Sequence, residues 1–209
     1  MRKIFSILFI INMLVITACA NTTTTTTTTN VSNKDLLITQ LGTNYFSDEA
    51  VPEEDIKDML RAAISAQSGL NRQYWHFTAI ANKELLAELR TTLYATMTDE
   101  WKKSAEGKAE IGDSPLAIVV SCSEKEEVSA ALATQKIVDY AVLSGYGAKV
   151  VASPAVVINR DYKEKLQIPG DMKAILVVLV GKAKDATGVD GIASPTTRKD
   201  FDEVANIIK

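Results

Sequence analysis

Two apolar runs, "LAIVVSC" (Leu116–Cys122) and "AILVVLVG" (Ala174–Gly181), constrain the fold most. A strand with one wet face alternates apolar and polar residues, whereas a continuous apolar run of strand length asks for cover on both faces. "QYWHFTAIA" (Gln73–Ala81), rich in aromatic and β-branched residues, and "AVVIN" (Ala155–Asn159) read as further strands. The cover is supplied by helical patterns between them. "VPEEDIKDMLRAAIS" carries Ile56, Met59, Leu60, Ala63 and Ile64 at helical spacing, with Pro52 at its first position and Glu53 and Glu54 at the positive end of the helix dipole. "KELLAELRTTLY" aligns Leu85, Leu86, Leu89 and Leu93. The longest candidate, Glu124–Leu143, presents Val128, Ala131, Leu132, Gln135, Val138 and Val142 on one broad face, and its alanines allow close helix contacts. Gly145 and Gly147 stop it. A short helical piece around "DYKEKLQIP" follows, and "RKDFDEVANIIK" reads as a closing helix. Thr96–Asp113 is polar, with Trp101 as its one apolar anchor. Helices interleaved with buried strands predict an α/β or α+β chain, helices packed over a sheet.

The N-terminus reads as a targeting segment. Arg2 and Lys3 precede an apolar run, Ile4–Ile16, that is short against the ~20 residues of a comfortable membrane span. It ends in "ITAC", which resembles a bacterial lipoprotein signal. That resemblance implies removal of residues 1–18, lipidation of Cys19 and anchoring of the exported chain to a membrane of the bacterial cell envelope. Residues 19–33 hold an unbroken threonine tract, Thr22–Thr29, with no core-forming periodicity, and read as a tether. Residues 34–209 are the folded domain. With 23 basic and 26 acidic residues, and no basic stripe interleaved with aromatics, the chain gives no sign of nucleic-acid binding.

Few chemistries are open to it. One histidine, His76, and no Cys/His cluster leave no metal site. A serine nucleophile would need His76 as its base, and no G-x-S-x-G, P-loop or G-x-G-x-x-G occurs. On its strand, His76 reads as structural. Cys122, ending an apolar run, reads as a buried inert thiol. What stands out is "SAQSGLNRQYWHF", a helix end and strand start crowded with Ser68, Gly69, Asn71 and Gln73, where Gly69 permits a positive φ. Such groups can hydrogen-bond a flat polar ligand; Ser68 and Asn71 can equally cap a turn, and the residues alone leave both readings open.

This stretch resembles the nitroreductase family of flavoproteins. Ala66, Ser68, Asn71, Gln73, Trp75 and Phe77 stand at the family spacing, with Gln67 and Tyr74 replacing two prolines. "SGYGAKV", "LQIPGDMKAILVVLVGKA" and "TTRKDFDEV" resemble later family segments. The resemblance implies a three-layer α-β-α sandwich with a mixed central sheet, a homodimer, and FMN held by Ser68, Asn71, Arg72, Gln73, Arg198 and Lys199. It implies an NAD(P)H-type donor and a small-molecule electron acceptor such as a nitro compound or quinone. No side chain is assigned as catalytic, because the flavin carries the chemistry. One departure is Gln40, Leu41 and Asn44, which stand where the family places basic residues. That absence favours the alternative, a surface lipoprotein that keeps the fold and binds a ligand without redox turnover.

Overall fold

The two long apolar runs lie side by side at the centre of a sheet. Strands β1 (Trp75–Ile80), β2 (Leu116–Ser123), β3 (Gly147–Val151) and β4 (Met172–Gly181) are ordered β1-β2-β4-β3. The structure is a computed structural model that describes residues 32–39, 42–184 and 198–208. The signal segment, Cys19, the threonine tract, Gln40 and Leu41 lie outside the described residues.

Alternation along β2 and β4 divides the core in two. Ala117 and Val119 of β2, with Val177 and Leu179 of β4, enter one apolar cluster; Leu116, Ile118 and Val120, with Val178 and Val180, enter the other. Helices cover both faces, which is why these runs lack a polar alternate. α2 (Glu53–Ile64) and α5 (Glu127–Leu143) supply Met59, Ala63, Ala133 and Ile137 on one face. On the other, α3 (Lys83–Thr96) supplies Leu86, Leu89 and Leu93, and α6 (Pro154–Val157) supplies Val157. Three smaller helices complete the set: α1 (Asn33–Thr39), α4 (Asp99–Ala105) and α7 (Phe201–Val204). Within the polar stretch Thr96–Asp113, Trp101 of α4 does pack on the core.

Five expectations need correction. The sheet is not mixed among the described residues: β1–β2, β2–β4 and β3–β4 are all antiparallel. "AVVIN" is not a strand. Pro154 starts α6, and a π-helical turn (Ile158–Tyr162) continues it. An apolar run this short fits a buried helix as well as a strand, and a proline at N1 decides for the helix. Asn159 then faces β4, donating Nδ2 to the Ala174 carbonyl at 2.8 Å and accepting from Ala174 N–H at 2.8 Å, where the β2–β4 register shifts. The strand that does form, β3, starts in the segment read as a helix stop. Gly147 is required there by crowding, since a Cβ would come within 2.4 Å of the Thr43 side chain. The face of α5 is also turned, although Val138, expected on it, is buried. Val128 is 77% and Leu132 50% exposed, whereas Ala130, Ala133, Ile137 and Ala141 are buried. Small residues let this helix sit close against the sheet. Finally, the closing helix is a single turn, with Ala205 already extended (φ −140°, ψ 146°). Phe201 and Val204 are exposed, so no packing prolongs it.

Candidate functional site

The polar bend is built by the end of α2. Ser65 N–H reaches back to Arg61 and Ala62 carbonyls, closing the helix, and Ala66 is buried below. The chain then extends at Ser68 (φ −137°, ψ 154°) and turns through a 3-10 segment, Gly69–Asn71. Gly69 is not the left-handed residue. Leu70, Asn71 and Gln73 each take φ 54° instead. Asparagine tolerates this region, but leucine and glutamine are held there at a cost on the order of 1–2 kcal/mol each.

Local bonds hold the bend in that shape. Ser68 Oγ accepts from Gln73 N–H at 3.1 Å, and Gln73 Nε2 donates to Asn71 Oδ1 at 3.2 Å. Arg72 meets Glu126, at the head of α5, at 3.5 Å. Below, Trp75 is buried and tilted against Phe77, centroids 6.2 Å apart. Above, Asn71, Arg72 and Gln73 are exposed, and Leu70 is 86% exposed. The result is a polar lip on an apolar anchor. Beside it a cleft of about 370 Å³ runs between the α2 end (Ser65, Ala66, Gln67) and α5 (Leu132, Gln135).

Thus Ser68, Asn71, Arg72 and Gln73 come together as one group. Arg198 and Lys199 belong to a separate, later segment of the chain. They lie exposed just ahead of α7, whose capping box is made by Asp200 and Glu203, and they line neither this cleft nor the others described below.

Asn44 has a different task from the basic residue expected there. Its Oδ1 accepts from Lys149 Nζ at 2.7 Å and from Ala109 N–H at 3.2 Å. Lys149 Nζ also donates to the Ala109 carbonyl at 2.8 Å. Next to Ala109, the buried Glu110 carboxylate accepts from Ser153 Oγ at 2.7 Å. Burial pushes the Lys149 ammonium down from its ordinary value; Glu110 opposes that, and the charge of Lys108 adds to it. Sequence reasoning missed this cluster. Its only signal was a charge inside each of two apolar contexts, "GAKVV" and "AEIG".

His76 lies half-buried on β1, beside a second cleft of about 510 Å³ that includes Thr78 and Gln167. Cys122 is buried, and burial, with Glu127 and Glu126 nearby, pushes its thiol up, so it is poorly nucleophilic. Among the described residues no helix is long and apolar enough to cross a membrane.

Residues 44–182 match the Nitroreductase family. Curated relatives from Archaeoglobus fulgidus and Methanothermobacter thermautotrophicus, both provisionally named NADH dehydrogenase/NAD(P)H nitroreductase, are 33% identical over 54 residues and 30% identical over 101 residues. The matches cover 26% and 46% of this chain and 31% and 46% of theirs, so the chain spans less than half the length of either. In fold it is similar to a nitroreductase with bound FMN from Bacteroides fragilis (TM-score 0.71, 18% identity, 85% of this chain and 99% of that one). A nitroreductase with bound FMN from Desulfitobacterium hafniense is as similar (TM-score 0.71, 21% identity, 84% and 98%).

Proposed function

Because the chain belongs to the nitroreductase family, we propose that it is an exported, lipid-anchored, FMN-dependent oxidoreductase. Its electron donor is of the NAD(P)H type, and its acceptor is a small nitro compound or quinone. FMN, when bound, would supply the redox chemistry. The protein binds, orients and shields.

The bend carries this reading. Ser68 Oγ already accepts from Gln73, so its own proton is left for an outside acceptor. Asn71 Oδ1 is taken by Gln73, which leaves its Nδ2 protons to donate elsewhere. A flavin ring edge offers carbonyl and ring-nitrogen acceptors of that kind. Strained φ values at Leu70 and Gln73 fit a backbone shaped for a ligand rather than for the turn alone. Arg198 and Lys199 suit the phosphate at the molecule's other end, Arg with its planar fork.

In this reading the site is completed by a second copy. Exposed apolar side chains surround the bend: Ile64, Leu70, Tyr74, Val128 and Leu132. A homodimer that covers them would bring one subunit's bend to its partner's basic pair. One observation favours the second reading, a ligand-binding lipoprotein without turnover: Asn44 spends its carboxamide on Lys149 rather than adding positive charge for a phosphate.

The deciding experiment is optical. Full-length protein purified in detergent is expected to be yellow, to release FMN on denaturation, and to bleach when NADH or NADPH is added without oxygen. Colourless protein that takes up no supplied FMN sinks the oxidoreductase reading in favour of the second. Anchoring is tested separately by Cys19→Ser, which should move the chain from the membrane fraction to the soluble one; an unchanged distribution counts against lipidation.

A further inference from the structure

Another cleft shares no lining residue with the one beside the bend, and of its lining only Asn44 entered the reading above. It holds about 620 Å³, within the ~300–1,000 Å³ usual for small-molecule sites. Phe46 forms its buried floor. One wall is Tyr45 and Lys184, joined by a hydrogen bond from Lys184 N–H to the Tyr45 carbonyl at 3.0 Å. The opposite wall is the end of α4, where Gly107 (φ +70°) turns the chain so that Lys108 follows into the cleft. α3 closes the third side with Arg90 and Tyr94.

Charge distinguishes this cleft from the chain as a whole, which carries a net −3. Five basic side chains line it against two acidic ones. Asp113 is taken by Arg90, whose guanidinium also sits 5.2 Å from the Tyr94 ring centroid. Lys103, Lys108 and Lys184 are exposed and have no ion-pair partner among the described residues. Three ammonium groups against the one remaining carboxylate, Glu106, leave the concavity net positive, so the arrangement is a standing attraction for an anion. The field reaches inward too, since Lys108 adds to the burial that depresses Lys149. An aromatic surface lies within the same cleft: Tyr45 is 43% exposed.

We propose that this cleft binds a phosphate-bearing small molecule of nucleotide size, its phosphates held by Lys103, Lys108 and Lys184 and its ring laid on Tyr45. Lysine suits phosphate as a point charge, and tyrosine supplies a face for a base. The site is separate from the flavin site proposed at the bend.

Titration calorimetry on the full-length protein tests this with pyrophosphate, ADP and adenosine as probes. Pyrophosphate and ADP should bind, more weakly as salt is added, and adenosine should not. The double substitution Lys108→Gln/Lys184→Gln should weaken both by about tenfold or more, because each lysine makes a charge-assisted contact. Neither lysine has an ion pair to lose, so the melting temperature should hold and report an intact fold. Tyr45→Ala should weaken ADP and leave pyrophosphate unchanged. Failure of pyrophosphate and ADP to bind, or equal binding by wild type and the double variant, overturns the assignment. Displacement of ADP by FMN, with loss of flavin from the double variant, also overturns it, by making the cleft the flavin's own phosphate pocket. A colourless protein that still binds ADP here leaves this site standing while the flavin reading falls.

Discussion

Tyr146 couples one buried hydroxyl to the pH dependence of the whole fold. It is 8% exposed, Lys182 Nζ sits 4.1 Å from its ring centroid, and its hydroxyl donates to the Asp55 carboxylate of α2. Burial foremost, and then the hydrogen bond and charge of Asp55, push the phenol up to about 12. An unfolded tyrosine titrates near ~10. Between those values the unfolded chain gives up the proton while the native chain keeps it, so the unfolded state binds fewer protons and stability falls as pH rises. The contribution is fully present below about pH 10 and is lost toward pH 12. Tyr146→Phe is expected to flatten this part of the profile, at a cost of ~1 kcal/mol at neutral pH for the missing hydrogen bond. Urea midpoints measured across the alkaline range check it; an equally steep fall in the variant would mean another group is responsible.

At the scale of elements, α5 shows how packing overrules aliphatic count. Its buried face is Ala130, Ala133, Thr134, Ile137 and Ala141, all at most 3% exposed. Ala133→Leu forces extra methylenes against the sheet and is expected to destabilise by about 1–3 kcal/mol. Leu132→Ala, one residue away on the half-exposed face, should leave the fold of a subunit within ~0.5 kcal/mol of its starting stability. Thermal melts of the two variants distinguish the faces, and a larger loss at Leu132 would reverse them. The sequence predicts this helix correctly and misplaces its face, because Val128 and Leu132 stand out in an alanine-rich stretch. β2 and β4 are legible because a run buried on both faces has no polar alternate. β3 is not, since its two entry glycines and Lys149 look like a turn until Thr43 is seen pressing on Gly147. The bend is legible as a polar cluster, but its strain is not: it falls on Leu70 and Gln73, and nothing local announces a left-handed leucine. The Asn44–Lys149 pairing joins residues far apart in the chain, so no spacing rule could have found it.

For the whole molecule, the question is whether one ligand is gripped by two chains. The bend is anchored to the sheet through Trp75, whereas Arg198 and Lys199 stand exposed ahead of α7. In a symmetric pair, each site would take its bend from one subunit and its basic pair from the other. This arrangement has a consequence that a site within one chain lacks. Asn71→Ala alone should lose the hydrogen bonds to the ring, and Arg198→Ala alone should lose the charge-assisted grip on the phosphate, each lowering FMN retention by about tenfold or more. Mixed dimers of the two variants then contain one site with both lesions and one site with neither. They should regain flavin at half the wild-type content per chain. If bend and basic pair served the same subunit, every site in the mixed dimer would carry one lesion, and no flavin would return. Co-expression with two affinity tags isolates the mixed dimer, and its absorbance per chain gives the ratio. Half occupancy supports a shared site, and a colourless mixed dimer places both groups on one chain or removes one of them from the site altogether.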